Sequence, residues 1–159
     1  MKTCIPTRLT ALPFLALLAY LPTAQAATAD TSFQVTATVA ETCSVSAGTL
    51  AFGSYVGDQL DAENTMTVTC TTGTGYNITL DNGLYVSGSQ RRMKSAGTDY
   101  LNYDLYTTTG RIVLWQDAAT VSDTGNALPQ SHPVYGRIPA NQNPPATDYT
   151  DTISVTVTY

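Results

Sequence analysis

Apolar and polar residues alternate in short runs along most of the chain, and no long segment shows the 3.6-residue period of an amphipathic helix. Alternation predicts strands, because successive side chains of a strand point to opposite faces of a sheet. The alternating runs are 33–39, 49–55, 65–71, 76–80, 84–86, 100–106, 111–115, 133–138 and 151–159. About eight short strands between Gly, Asn and Pro turns favour an antiparallel all-β fold, an immunoglobulin-like β-sandwich or a small barrel.

The most regular alternation lies near the two ends of the chain. One apolar face is formed by Phe33, Val35, Ala37 and Val39, and the other by Ile153, Val155, Val157 and Tyr159. Three arrangements would bury both faces. The two strands could pair with each other, or lie in opposite sheets of one closed sandwich. Alternatively, the N-terminal strand could complete the sheet of a neighbouring molecule beside the final strand, which is β-strand addition.

The first 26 residues predict a secretory signal peptide. Lys2 and Arg8 precede an apolar run at 9–21, and Ala24 and Ala26 form a cleavage site of small residues. The run is shorter than a transmembrane helix requires. An uncleaved anchor helix is the alternative. We expect cleavage after Ala26, export of a soluble chain and no membrane insertion.

The charge of the exported chain argues against nucleic acid and anionic lipid as partners. After loss of the signal, five basic residues face twelve acidic ones, a net charge of −7. Only Arg91, Arg92 and Lys94 form a basic group, and we expect them in a solvated loop. Without a basic patch, a chain of this charge binds nucleic acid poorly.

Two cysteines remain in the exported chain, because Cys4 leaves with the signal. Cys43 and Cys70 form an even pair in an oxidising compartment, which predicts a disulfide. Closing a loop of this length is worth about 3.5 kcal/mol in the chain-entropy model. Metal binding is the alternative, but it needs further ligands, and His132, the chain's one histidine, is distant in sequence.

No residue constellation of an enzyme is present in the sequence, so we expect no catalytic residues, no metal and no cofactor. His132 is predicted in a surface loop beside Pro133, and the acidic residues are scattered through turns. Asp58, Asp61 and Glu63 have the spacing of a calcium loop but lack its glycine and its terminal glutamate, so a solvated loop is favoured.

Tyrosines on a predicted strand suggest sugar binding as an alternative function. Tyr100 and Tyr106 share the solvent-facing side of the run 100–106 with Asn102 and Asp104. Aromatic faces of this kind can stack on sugars, yet aromatic residues are also favoured in strands for packing reasons alone. A small lectin or adhesin is therefore kept as an alternative.

Stretches from nearly the whole exported chain resemble one family. They are F-x-V-x-A-T-V with C-S-V-S-A-G-T-L-A-F-G-S-Y (33–55), V-T-C-T-x-G-T-x-Y-x-I (68–78), Arg91-Arg92-Met93, Y-L-x-Y-x-L-Y (100–106), V-Y-G-R-I-P-A-x-Q (134–142) and D-Y-x-D-T-x-x-V-T-V-x-Y (148–159). In order and spacing they are similar to the spore coat protein U family, which includes pilin subunits of archaic, Csu-type chaperone–usher pili.

The resemblance implies an incomplete immunoglobulin-like sandwich, residues 41–159, preceded by an N-terminal donor strand, residues 27–40. A periplasmic pilus chaperone would fill the gap with a strand of its own. At an outer-membrane usher, the donor strand of a neighbouring copy or related subunit would replace it. The fibre, or fimbrium, would stand on the surface of a Gram-negative bacterium and serve adhesion or biofilm formation.

By position in the family pattern, the donor side chains would be Phe33, Val35, Ala37 and Val39. The strand bordering the groove and contacting the chaperone would carry Ile153, Val155, Val157 and Tyr159, and Cys43 and Cys70 would match the family's disulfide. Single-domain length and a donor-like strand favour a stalk or adaptor subunit over a tip adhesin. A secreted spore or cell-surface coat protein and a sugar-binding adhesin of the same fold are the alternatives.

Overall fold

The computed structural model describes residues 24–116 and 118–159. Most of the predicted signal peptide, residues 1–26, therefore lies outside the described residues. Thr38–Tyr159 form one compact unit and residues up to Ala37 the other. The described part of the N-terminal unit, residues 24–37, has no regular secondary structure. Within the described residues there is no helix of the length and apolarity that crossing a membrane requires.

Among the described residues of Thr38–Tyr159, eight antiparallel strands form two sheets. The strands are β1 (Cys43–Ala47), β2 (Leu60–Cys70), β3 (Gly75–Leu80), β4 (Arg91–Lys94), β5 (Tyr100–Tyr106), β6 (Val121–Thr124), β7 (Gln130–Ile138) and β8 (Val155–Thr158). The order is β1-β2-β7-β5-β4 in the larger sheet and β6-β3-β8 in the smaller one. The expected all-β sandwich is confirmed, with two separate sheets where a barrel would have one closed sheet.

The alternating runs supply the core between the sheets. β5 spans the predicted residues 100–106 and points Leu101, Tyr103 and Leu105 inward. Inward residues of β2 and β3 repeat the pattern, and they are Met66, Val68, Cys70, Tyr76, Ile78 and Leu80. Full burial of one large apolar side chain is worth about 1.5–3 kcal/mol, so these strands dominate the stability of the domain.

Three predicted runs form no strand, and the prediction is wrong there for this chain: 49–55, 84–86 and 111–115. The run 33–39 has no regular secondary structure in the single chain, and its use as a donor strand for a neighbouring molecule stays a prediction. In the run 49–55 and just after it, Gly53 and Gly57 adopt φ of +80° and +97°, which interrupts an extended backbone. Arg111 has φ +52°, and the run it begins makes only an isolated bridge from Leu114 to β5. Alternation without a partner strand along its length does not become a strand.

Three polar groups expected in surface loops lie in strands. Arg91 begins β4 and is only 2% exposed, and its buried guanidinium donates to the Asp81 carbonyl oxygen. His132 lies in β7, where its Nε2 is 2.8 Å from the Tyr76 hydroxyl. Asp61, expected with Glu63 in a solvated loop, is part of β2. The loop assignments were wrong because local sequence does not reveal hydrogen-bond partners that come from distant strands.

Candidate functional site

An open cleft runs between the two sheets. Its volume is about 1120 Å³, and both sheets contribute lining residues. The apolar floor consists of side chains that also belong to the buried core, namely Met66, Leu80, Leu101, Tyr103, Leu105, Val134 and Ile138. A cleft of this size that reaches the core is large enough to admit further apolar side chains.

One wall of the cleft is the C-terminal strand β8, an edge of the smaller sheet. β8 pairs with β3 from Leu80↔Val155 to Asn77↔Thr158, and the Asp81 N–H donates to the Ser154 carbonyl at 3.1 Å. Asp81 and Ser154 therefore continue the register of the ladder with one of the two backbone bonds of a hydrogen-bonded pair, while the Ser154 N–H donates to the Asp81 side chain. Because such pairs alternate in antiparallel strands, the backbone N–H and C=O groups of Val155 and Val157 point away from β3.

The side chains predicted for this wall fall into three environments. Ile153 and Val155 are half-buried and line the cleft. Val157 is half-buried against the core. Tyr159, the last residue, is 56% exposed. Within the described residues no strand pairs with the outer edge of β8, so the cleft is bordered by a row of unpaired backbone groups.

The opposite wall is the irregular segment 48–57. Phe52 packs edge-on against Tyr103 with 6.1 Å between the ring centroids. Leu50 and Phe52 also pack against the backbone of Gly136, so closely that a Cβ at Gly136 would lie 2.7–3.0 Å from their side chains. The Tyr55 hydroxyl donates to the Pro139 carbonyl at 2.8 Å. Side chains thus hold this wall in place.

The backbone of this wall is largely unpaired. At its two ends, the Gly48 carbonyl accepts from the Asn64 amide and the Gly57 carbonyl accepts from the Asn141 N–H, each at 2.8 Å. Between them, residues 49–56 make no backbone–backbone hydrogen bond to the other described residues. The cleft therefore lies between two stretches of backbone that both have hydrogen-bonding capacity left.

The N-terminal segment carries the predicted apolar face in exposed form. Phe33 is 87% exposed, Val35 and Val39 are each 82% exposed, and Ala37 is exposed as well. Four exposed apolar side chains at two-residue spacing, three of them large, are unusual on one short segment of a solvated chain. They form a face that a pleated partner surface could bury.

The start of the sandwich is fixed by the disulfide predicted from the sequence. Cys43, the first residue of β1, is bonded to Cys70, the last residue of β2. Beside it, the Thr71 hydroxyl accepts from the Thr42 N–H at 2.9 Å, and the Thr71 N–H donates to the Thr42 carbonyl at 3.0 Å. The connection between the N-terminal segment and the domain therefore begins at a covalently held point.

Two carboxylates near the cleft were missed as site residues by sequence reasoning. The Tyr103 hydroxyl donates to Asp151 Oδ2 at 2.7 Å, and Ser154 N–H donates to Asp81 Oδ1 at 3.0 Å. Burial first, and then the Asp151 carboxylate, raise the pKa of Tyr103 far above its ordinary value, so Tyr103 remains a donor. The sequence signalled Asp81 only through the Asp81-Asn82-Gly83 turn, and nothing local signalled Asp151.

The alternative chemistries gain little from the geometry. Among the described residues, no three His, Cys, Asp or Glu side chains are placed to hold a metal ion. The Asp61 carboxylate receives two hydrogen bonds from Arg137, at 2.7 and 2.9 Å. The Arg92 guanidinium covers one face of the Tyr100 ring at 4.1 Å from its centroid. A sugar could stack only on the other face of Tyr100.

Comparison with known proteins gives one family and two informative relatives. A family model described as the Spore Coat Protein U domain matches residues 29–156. Protein U of Myxococcus xanthus is 36% identical over 164 residues, which cover 90% of this chain and 91% of that protein.

A solved structure has the same fold. It is the pre-assembly complex of the chaperone CsuC with the tip adhesion subunit CsuE, from archaic chaperone–usher Csu pili of Acinetobacter baumannii. The TM-score is 0.61 at 27% identity, over 77% of this chain. The chain spans 40% of the length of the chain it matches. The likeness confirms the immunoglobulin-like sandwich expected from the sequence.

Proposed function

Because the chain belongs to the spore coat protein U family, we propose that it is a structural subunit of a surface fibre, joined to its neighbours by strand exchange. Its role is structural and not enzymatic. The observation that carries the proposal is the open apolar cleft beside the unpaired edge of β8. The N-terminal segment 27–40 of another subunit is the strand that fills it.

The donor face and the acceptor edge match in length. Phe33 to Val39 and the predicted wall residues Ile153 to Tyr159, which include β8, both span six residue steps, about 20 Å of extended chain. Burial of Phe33, Val35 and Val39 in the cleft is worth about 5–9 kcal/mol before the cost of ordering the strand. Ladder hydrogen bonds to Val155, Val157 and the segment 48–57 add to this, since each contributes about 0.5–1.5 kcal/mol.

Strand exchange of this kind produces a fibre. The donor segment lies at one end of the chain and the acceptor cleft lies in the sandwich, so the contact joins two different surfaces. A head-to-tail contact that does not close into a ring continues as a filament. The same geometry leaves a free subunit with an exposed cleft, which is an aggregation hazard until something covers it.

The likeness to the Csu complex supports the proposed partners and location. A periplasmic pilus chaperone covers the cleft of the exported subunit, as the matched structure is a chaperone–subunit complex. An outer-membrane usher then exchanges the chaperone strand for the next subunit's donor strand. The subunit ends in a fimbrium on the surface of a Gram-negative bacterium, where it serves adhesion or biofilm formation.

A coat protein is the second candidate. Identity to Protein U of Myxococcus xanthus is higher than identity to the Csu structure, and it covers about nine-tenths of both chains. In this alternative the protein is part of a spore or cell-surface coat, either assembled by the same strand exchange or present as a closed monomer. The experiment below separates an exchanging subunit from a closed domain.

Two single substitutions test the proposal when they are mixed. Val35→Asp should abolish donation and leave the cleft intact, while Val155→Asp should abolish acceptance and leave the donor intact. Both variants are made in the chain without residues 1–26 and purified with the disulfide formed. Each alone should remain monomeric under conditions in which the wild type forms polymers. Mixed together, the two variants should give one-to-one dimers and nothing larger, measured by light scattering after size-exclusion chromatography.

The matched control is Ile112→Asp, which also replaces a β-branched apolar residue by aspartate. Ile112 is 84% exposed and lies outside the cleft. It should polymerise like the wild type. A wild type that stays monomeric at high concentration would indicate a closed domain and favour the coat protein. Polymers from Val35→Asp alone would refute the donor assignment.

A further inference from the structure

The chain changes sheets immediately before β8. Thr150 and Lys94 exchange two backbone hydrogen bonds, at 2.9 and 3.0 Å, which places Thr150 on the β4 edge of the larger sheet. Four residues later Ser154 is paired with Asp81 in the smaller sheet. The acceptor strand of the cleft is therefore reached through a crossing, residues 151–153, that has no ladder of its own among the described residues.

Asp151 supplies the missing bonds on one side of the crossing. Its Oδ1 accepts from the backbone N–H groups of Leu84, at 2.9 Å, and Thr152, at 2.8 Å. Its Oδ2 accepts from the Tyr103 hydroxyl at 2.7 Å. One carboxylate thereby ties the crossing to the loop after β3 and to a core residue of β5.

Asp81 supplies hydrogen bonds at the other end of the crossing, next to Ser154. Its Oδ1 accepts from the N–H groups of Gly83 and Ser154, each at 3.0 Å, and its own N–H donates to the Ser154 carbonyl. The Asp81 carbonyl in turn accepts from the buried Arg91 guanidinium. Ser154, the residue just before β8, is thus held to Asp81, the residue just after β3, through both its backbone groups.

β8 needs such a clamp because it is short and paired on one side only. It has four residues, and its pairing with β3 is its one ladder among the described residues. An edge strand of this length opens by local unfolding more readily than the strands of the core. Fixing Ser154, which directly precedes β8, keeps the outward N–H and C=O groups of Val155 and Val157 in line for an incoming strand.

We propose that Asp81 and Asp151 are positioning residues for strand capture, which hold the acceptor edge in its binding-competent arrangement while the cleft is empty. The inference rests on the proposed function and adds to it the residues that set the capture rate. A carboxylate that only stabilised the domain would slow amide exchange equally in every strand, whereas a clamp slows local opening and amide exchange of β8 in particular.

The test uses the chain without residues 1–26 that carries Val35→Asp, which accepts but does not donate. Capture of a fluorescent synthetic peptide of residues 28–40 gives an association rate, and residue-resolved amide exchange gives the opening of each strand. Asp81→Asn and Asp151→Asn keep the side-chain size but remove the charge, which roughly halves the strength of such hydrogen bonds. Each should slow capture about tenfold and should speed amide exchange about tenfold at Thr156 and Thr158, the β8 residues whose N–H groups point toward β3.

The control is Val68→Ala, a fully buried position of β2 outside the cleft lining. It should lower the melting temperature yet leave the capture rate and the relative protection of β8 unchanged. If an aspartate variant does not fold, Tyr103→Phe, which removes only the hydroxyl donor to Asp151, should give a smaller change of the same kind.

The outcomes separate the two proposals. No peptide capture by the Val35→Asp parent would refute the proposed function itself. Capture by the parent with equal rates in Asp81→Asn, Asp151→Asn and Tyr103→Phe would refute the clamp and leave the function standing. Loss of protection spread evenly over β2 and β8 would also refute the clamp.

Discussion

Replacement of Gly83 by alanine is expected to destabilise the domain far more than the same replacement of Gly73. Both glycines have a left-handed backbone, with φ of +80° at Gly83 and +85° at Gly73. Each alanine therefore carries a similar strain of about 1 kcal/mol. The surroundings differ, because a Cβ at Gly73 would meet nothing within 4 Å, whereas one at Gly83 would collide with the Asp151 carboxylate and lie 2.9 Å from its Cγ.

The collision should cost more than the strain. To admit the methyl group the Asp151 carboxylate has to shift, and it then weakens its hydrogen bonds from the Tyr103 hydroxyl and the Leu84 N–H. A hydrogen bond to a charged group contributes about 1.5–3 kcal/mol, so partial loss of two of them should cost about 2 kcal/mol. The expected total is about 3 kcal/mol for Gly83→Ala against about 1 kcal/mol for Gly73→Ala.

Urea unfolding measures the difference directly. The fluorescence of Trp115, the chain's one tryptophan and a buried residue, reports unfolding. The two variants should show equal slopes with urea and midpoints that correspond to a gap of about 2 kcal/mol. Equal losses of stability would show that the carboxylate moves aside at no cost, and they would refute the reasoning behind the clamp as well.

Two further predictions concern the disulfide and a surface ion pair. Replacing Cys43 and Cys70 together by serine should lower the free energy of unfolding by about 3.5 kcal/mol, and a urea midpoint equal to that of the oxidised wild type would contradict this. The hydrogen bond from Arg137 holds the pKa of Asp61 below its ordinary value. Since a lowered carboxyl pKa stabilises the fold above the unfolded-state pKa of about 3.9, Asp61→Asn should lower the melting temperature at neutral pH. The gap to the wild type should close as the pH falls through the folded-state pKa, and a pH-independent gap would exclude the charge as its cause.

Period-2 alternation predicted those strands whose inner face is buried by a partner of the same chain. β5 has the predicted bounds, and β3 differs from the predicted run by one residue. The run 49–55 alternates equally well, and its Leu50 and Phe52 pack against the core, yet it forms no ladder. Alternation reports which side chains are buried, and a strand also requires a neighbour for its backbone.

The polar interactions were beyond sequence reasoning for a different reason. His132 is bonded to Tyr76, 56 residues away, and Asp151 to Tyr103, 48 residues away. Neither pairing leaves a local pattern, because any strand residue can face any other once two sheets are stacked. Buried polar residues are therefore placed only when the tertiary arrangement is known, whereas the disulfide was predictable from two cysteines and an oxidising compartment.

In the proposed mechanism, folding and assembly depend on overlapping but different residues of this chain. Val35 is exposed, so its replacement should leave the free subunit as stable as before and affect assembly alone. Leu101 and Ile138 belong to the core and also line the cleft, so their replacement should weaken both. Burial of the donor face is expected to contribute about 5–9 kcal/mol, which is comparable to the free energy of unfolding of a whole domain, about 5–15 kcal/mol. A filled subunit should therefore be far more stable than an empty one, which explains why an unassembled subunit would need its cleft covered.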